Sequence, residues 1–146
     1  MSTGKSRLSD EDTYSWTSRY NATANDYAFY LKNTNSNKDL NIREIFVFSS
    51  VKCDFSVKFV TGTATGSTIT GVNWNKKTSE TADVIAKNSG VTGLSADGDI
   101  IDIDVDADNR EFYNFDGSLI LGENDAIGIK VDATATVSII TVGDFE

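Results

Sequence analysis

Histidine is absent from the 146 residues, as is proline, and cysteine occurs once. Without histidine there is no side chain of ordinary pKa near neutrality to act as a general base. There is also no Ser–His or Cys–His nucleophile pair and no common zinc or iron site. Most hydrolase mechanisms fall with it, and the chain is expected to be no enzyme and to need no cofactor. The single cysteine, Cys53, excludes an intramolecular disulfide. Its place on the apolar side of an alternating stretch, 53–59, marks it as a buried, inert thiol. Basic residues are few, 13 against 22 acidic ones for a net charge of −9, and Lys76-Lys77 is the one adjacent basic pair. A phosphate backbone is recruited by clustered Lys and Arg, so nucleic acid is a poor partner. No apolar run approaches the length of a membrane span, and Lys5 and Arg7 are not followed by an apolar stretch. A soluble chain made in the cytoplasm, with no membrane partner, is the expectation.

What the sequence does have is an acidic alternation. Residues 97–108 read Asp-Gly-Asp-Ile-Ile-Asp-Ile-Asp-Val-Asp-Ala-Asp and hold six of the 22 acids. From Ile101 the apolar residues Ile101, Ile103, Val105 and Ala107 alternate with Asp102, Asp104, Asp106 and Asp108. That is the period of a strand with one buried face; a helix would scatter both kinds around its circumference. Apolar residues at 39% and aromatics at 10% are ordinary for a globular domain, and a chain of this length is of single-domain size.

Residues 1–26 are polar, with Leu8, Tyr14, Trp16 and Tyr20 as scattered apolar points, and read as an N-terminal arm. Ser9 followed by Asp12 is the cap of a short helix through about Arg19, with Trp16 and Tyr20 on one side at i,i+4 spacing. Residues 27–146 form the folded domain. Tyr27–Lys32 is a first strand. Leu40–Ser49, with Ile42, Ile45, Phe46, Val47 and Phe48, is too continuous for a half-exposed strand and is expected between layers. Cys53–Val60 alternates cleanly, and Val51-Lys52 before it is a hairpin or a bend. The loop 61–68 leads into a strand at 69–74; its glycines invite a phosphate, but no Lys and no helix follow. Ala82–Lys87 is a short strand. Glu111–Phe115 and Ser118–Leu121 flank an Asp116-Gly117 turn, and Ala126–Val131 and Ala135–Val142 flank a hairpin loop at 132–134. Eight or nine short strands separated by Gly, Asn and Asp turns point to an all-β, antiparallel β-sandwich, jelly-roll-like, with an extended N-terminal arm.

The densest candidate chemistry is a hard cation on the carboxylates. Their spacing speaks against it, because side chains two apart on one strand face stand about 7 Å from each other. Calcium-loop registers starting at Asp104 and Asp102 need a carboxylate where Phe115 and Tyr113 stand. Asp97 and Asp99, at a turn, are the residual metal candidates; the rest of the ladder reads as a solvated, edge-guarding face. Trp16, Trp74 and Tyr113 are the aromatics best placed to stack on a sugar.

Several phrases in order give a resemblance. They are 61–70, Thr-Gly-Thr-Ala-Thr-Gly-Ser-Thr-Ile-Thr, with Val72-Asn73-Trp74-Asn75; then Thr81-Ala82-Asp83; then 117–126, Gly-Ser-Leu-Ile-Leu-Gly-Glu-Asn-Asp-Ala; and Gly143-Asp144-Phe145-Glu146. Over residues 40–146 the chain resembles small virion proteins of tailed phages, β-sandwiches that decorate the head or sit at the tail. The resemblance implies a capsid decoration or cement protein of a bacteriophage, a homotrimer located in the virion, with the major capsid protein as partner. On that expectation the arm, through Leu8, Tyr14, Trp16 and Tyr20, staples the trimer to the shell. The alternative is a receptor- or glycan-binding module of a tail or fibre that uses loop aromatics instead.

Overall fold

Inward rows of β-branched and aromatic side chains alternate with polar ones along most of the chain, and the chain is built as strands accordingly. The structure, a computed structural model, describes residues 13–146. Among these residues eleven strands run in order: β1 Thr13–Ala22, β2 Tyr27–Asn33, β3 Leu40–Ser49, β4 Cys53–Gly62, β5 Ser67–Thr68, β6 Val72–Asn73, β7 Val84–Asn88, β8 Leu94–Val105, β9 Asn109–Leu121, β10 Ala126–Val131 and β11 Ala135–Phe145. One sheet has the order β9-β3-β11-β1-β6 and the other β5-β7-β2-β10-β4-β8, with every pairing antiparallel. The two sheets pack face to face as a β-sandwich. Trp16, Ile45 and Ile139 of one sheet and Phe29, Phe55 and Ile129 of the other are fully buried in the shared core.

The connectivity corrects two expected hairpins. β3 lies in the first sheet and β4 in the second, so Ser50–Lys52 is an arch between layers; the 132–134 loop likewise carries the chain from β10 across to β11. The successions β1 to β4 and β8 to β11 switch sheets at every step, which is the jelly-roll habit. Neighbours within a sheet are therefore remote in sequence: β1 pairs with β11, Trp16 opposite Thr141.

The arm expectation changes most. Residues 1–12, and Leu8 with them, lie outside the described residues. The expected helix ending near Arg19 is instead strand from Thr13, and β1 sits inside the five-stranded sheet between β11 and β6. Tyr14, Trp16, Ser18 and Ala22 are buried. The i,i+4 spacing of Trp16 and Tyr20 is satisfied by a strand as well as by a helix, because residues four apart share a strand face. The folded domain thus begins by Thr13 and not at residue 27.

Other boundaries shift for local reasons. Leu40–Ser49 is central, but not buried on both faces. Arg43 is skipped in both ladders, with Ile42 and Glu44 opposite consecutive residues Gly143 and Val142 of β11. This bulge resets the alternation so that Ile45 and Val47 face the core and Phe46 and Phe48 face outward. The Asp116-Gly117 turn is a bulge inside the single strand β9, with Asp116 at φ 52° and Gly117 at φ 83°. The acidic alternation keeps Ile103 and Val105 buried and Asp102 and Asp104 outward. It ends there: Asp108 turns at φ 57°, its N–H donates to the Ser49 carbonyl, and Ala107 is exposed, not inward.

Residues 63–93 leave the end of the β4–β8 ladder and return to it, carrying β5, β6 and β7 to the far edges of both sheets. On the way they cover the outer face of the six-stranded sheet, where Val91 packs with Tyr30, Val60 and Ala126. The neck of this excursion is closed by two glycines. Gly62 has φ +108°, and a Cβ there would stand 2.2 Å from the Gly93 carbonyl oxygen. Gly90 also has positive φ, +79°, but open space around it. Gly62→Ala is therefore expected to lower stability by roughly 2–3 kcal/mol, strain plus collision, and Gly90→Ala by only about 1 kcal/mol. Thermal midpoints of the two variants measure the difference; equal losses would show that the neck yields freely.

Candidate interaction face

Among the described residues nothing covers the outer face of the five-stranded sheet in this way, and here the bulge at Arg43 has its consequence. Two rows of side chains cross the strands β9, β3, β11 and β1. One is Arg110, Phe48, Ser138 and Arg19; the other is Phe112, Phe46, Ile140 and Thr17. Phe46 and Phe112 stack with ring centroids 5.7 Å apart and planes 25° apart. Both remain open to solvent, 39% and 61% exposed. The guanidinium of Arg110 lies 5.7 Å from the Phe48 ring centre, and Arg19 Nε donates to Ser138 Oγ at 2.9 Å. Together they bound an open groove of about 700 Å³ with an aromatic floor and an arginine on either side. A cation over a ring and a fixed guanidinium fork suit an occupant with apolar side chains and carboxylate or carbonyl oxygens. Thr136, Ser138 and Glu111 complete the polar part of its lining.

The expected contact residues are elsewhere. Tyr14 and Trp16 are core: their rings stack at 6.0 Å, and Tyr14 meets Phe145 edge-on at 5.9 Å. Both are buried in the packed core of the domain. Tyr20 is half-buried, and its hydroxyl has no hydrogen-bond partner among the described residues. Burial, aided by the charge of Asp26, pushes its pKa up to about 12. The phenolate is thus disfavoured in the fold, and the stability present below pH 10 is lost as pH rises through about 12. Tyr20→Phe removes a buried hydroxyl without a partner. It should leave stability at pH 7 unchanged or up to about 1 kcal/mol higher, and urea midpoints of the variant should fall less than those of the parent across the alkaline range. An equal fall would place the alkaline weakness elsewhere.

Of the aromatics considered for sugar binding, Trp16 is buried. Trp74 is exposed and donates to Ser15 Oγ at 3.1 Å beside β6, while Tyr113 meets Phe115 edge-on at the opposite edge strand, β9. They do not form one site.

The acidic strand β8 is the other edge of interest, paired among the described residues with β4 alone. Lys52 Nζ stands 3.2 Å from Asp104 and 3.6 Å from Asp106, and Lys58 Nζ lies 2.6 Å from Asp99. Asp54 and Asp104 face each other across the ladder. Their hydrogen bond, then burial, raises the Asp54 pKa, and Lys52 holds Asp104 below the usual carboxylate range. Asp99 thus turns to Lys58 and is not joined with Asp97, and among the described residues no group of three or more His, Cys, Asp or Glu converges on a metal position. Cys53 is buried as expected, and burial pushes its thiol up.

No family model matches this chain, and neither the curated proteins nor the solved structures give a match.

The aromatic face was missed because residues 45–48 are apolar at every position. Alternation cannot then say which side of the strand is inward; only the skipped Arg43 decides. The one available hint lay opposite, in the alternation of Arg110, Phe112 and Asn114 with Glu111, Tyr113 and Phe115.

Proposed function

We propose that this chain is a structural protein of a tailed-phage virion, a decoration or cement protein that binds the major capsid protein through the outer face of its five-stranded sheet. The observation that carries the proposal is the exposed stack of Phe46 and Phe112 beside the row that ends in Arg19 and Arg110. An aromatic patch with arginines at its rim has the composition of a protein-binding surface. On the other sheet the chain's own excursion packs over the corresponding face around Tyr30, Val60 and Ala126. The resemblance over residues 40–146 supplies the class of particle, and the sandwich supplies a rigid platform. Binding in this proposal comes from the sheet face and not from Tyr14 and Trp16.

The experiment is quantitative mass spectrometry of particles purified from the phage that encodes the chain. Hundreds of copies per particle, reduced by Phe46→Asp, are expected. A handful of copies, or none, would overturn the assignment to the head.

A further inference from the structure

We propose that the edge of β9 pairs with the same edge of a second copy, forming a two-fold dimer in which the five-stranded sheets join into one. From Asn109 to Asn114 every residue of β9 is exposed, on both faces of the strand. Among the described residues β9 is an edge strand bonded only to β3. Every second residue of such a strand offers its N–H and C=O to the open side. The ladder is unbroken over these six residues, with the register shift lying beyond Asn114, so a straight edge of about 20 Å is presented.

The two open edges on this side of the sandwich are treated differently. β8 carries outward carboxylates and two register irregularities, the devices that keep a strand from pairing. Between Asn109 and Asn114, β9 has no proline, lysine or bulge, and it carries Phe112 and Tyr113.

Self-complementarity selects the second copy and its register. Directly opposed residues in an antiparallel pair point to the same face, so a continuous sheet requires the two-fold axis to pass through a residue and not between two. An axis at Glu111 sets like carboxylates against each other, and an axis at Arg110 sets like guanidiniums. An axis at Phe112 sets ring on ring, Arg110 opposite Asn114, and Glu111 opposite Tyr113. The stack of Phe46 on Phe112 then continues into the neighbour's Phe112 and Phe46. The aromatic stripe doubles in length, and the groove beside it stays open. A contact of six residues from each copy is smaller than a standard interface, so the dimer is in exchange with monomer and dissociates on dilution.

Sedimentation equilibrium of the full chain over a concentration series tests this, with circular dichroism and thermal melting to confirm each variant's fold. A monomer–dimer equilibrium is expected, weakened at least about tenfold by Phe112→Asp, which sets two carboxylates across the axis, and left in place by Ile140→Asp. Cysteines opposed across an antiparallel pair have Cα atoms about 4.5–5.5 Å apart, within disulfide reach. Oxidised Phe112→Cys should therefore give a covalent dimer, and Val72→Cys at the opposite edge should give none. That readout remains if the aspartate variant fails to fold. Monomer at every concentration, a trimer, equal cross-linking at Val72, or a dimer lost in Ile140→Asp but kept in Phe112→Asp would each overturn the proposal.

Discussion

Trp16→Ala is expected to destabilise the domain by about 3–5 kcal/mol, the range for removing a large aromatic from a packed core. A domain of this size has about 5–15 kcal/mol in total, so the variant should be marginal at room temperature and unfolded at much lower urea. The expectation rests on position. Trp16 is fully buried, stacked on Tyr14, and opposite Thr141 in the ladder between β1 and β11. Gly71 lies so close to its ring that a Cβ there would stand 2.5 Å from Nε1. The backbone has closed over the indole, and a cavity left by alanine cannot collapse without moving β6 and its approach. The other tryptophan is the control. Trp74 is 55% exposed, and Trp74→Ala should cost less than about 1 kcal/mol. With only two tryptophans in the chain, Trp74→Ala also leaves Trp16 as sole emitter, and its fluorescence should be blue and shielded from acrylamide. Equal urea midpoints for the two alanine variants would mean that residues 13–22 are not core.

The contrast between the two tryptophans shows what was legible in the chain and what was not. Strand character was legible wherever one face is apolar and the other polar. Cys53, Phe55 and Val57 are inward as expected, as are Ile103 and Val105. Topology was not, because Val51-Lys52 and the 132–134 loop are as short as hairpin turns and yet join different sheets. Arch and hairpin differ in where the next strand finds its partner, which is information held by β9 and β11, far along the chain. The first strand was hidden by its polar residues: Thr13, Ser15, Thr17 and Ser18 look like arm, but Ser18 is buried with its hydroxyl donating to the Ala28 carbonyl at 2.7 Å. A satisfied hydroxyl sits in a core at little cost, and hydropathy cannot see the bond.

Phe46→Asp should weaken binding to the particle by roughly 30- to 1,000-fold, because aromatic anchors at the centre of an interface are worth about 2–4 kcal/mol. Phe46 stands mid-row, with Phe112 on one side and Ile140 on the other, so a carboxylate there leaves both neighbours without a dry contact. The cost to folding should be small, since the ring already points outward. The charged residues should behave differently. Arg19→Ala and Arg110→Ala at the groove rim are expected to slow association and to reduce its dependence on salt, with smaller losses of affinity. On a molecule of net charge −9, these two cations would steer a complementary acidic surface toward this face. Asp102, Asp104 and Asp106 lie on the outer side of the opposite sheet. Replacing all three with Asn should leave binding largely intact, though it removes the carboxylates that pair with Lys52. Co-sedimentation with capsids stripped of the protein measures all of these variants. Loss of binding in the triple-Asn variant, with Phe46→Asp unaffected, would move the contact from the aromatic face to the acidic edge, and the outer phenylalanines would then have to be explained by self-association alone.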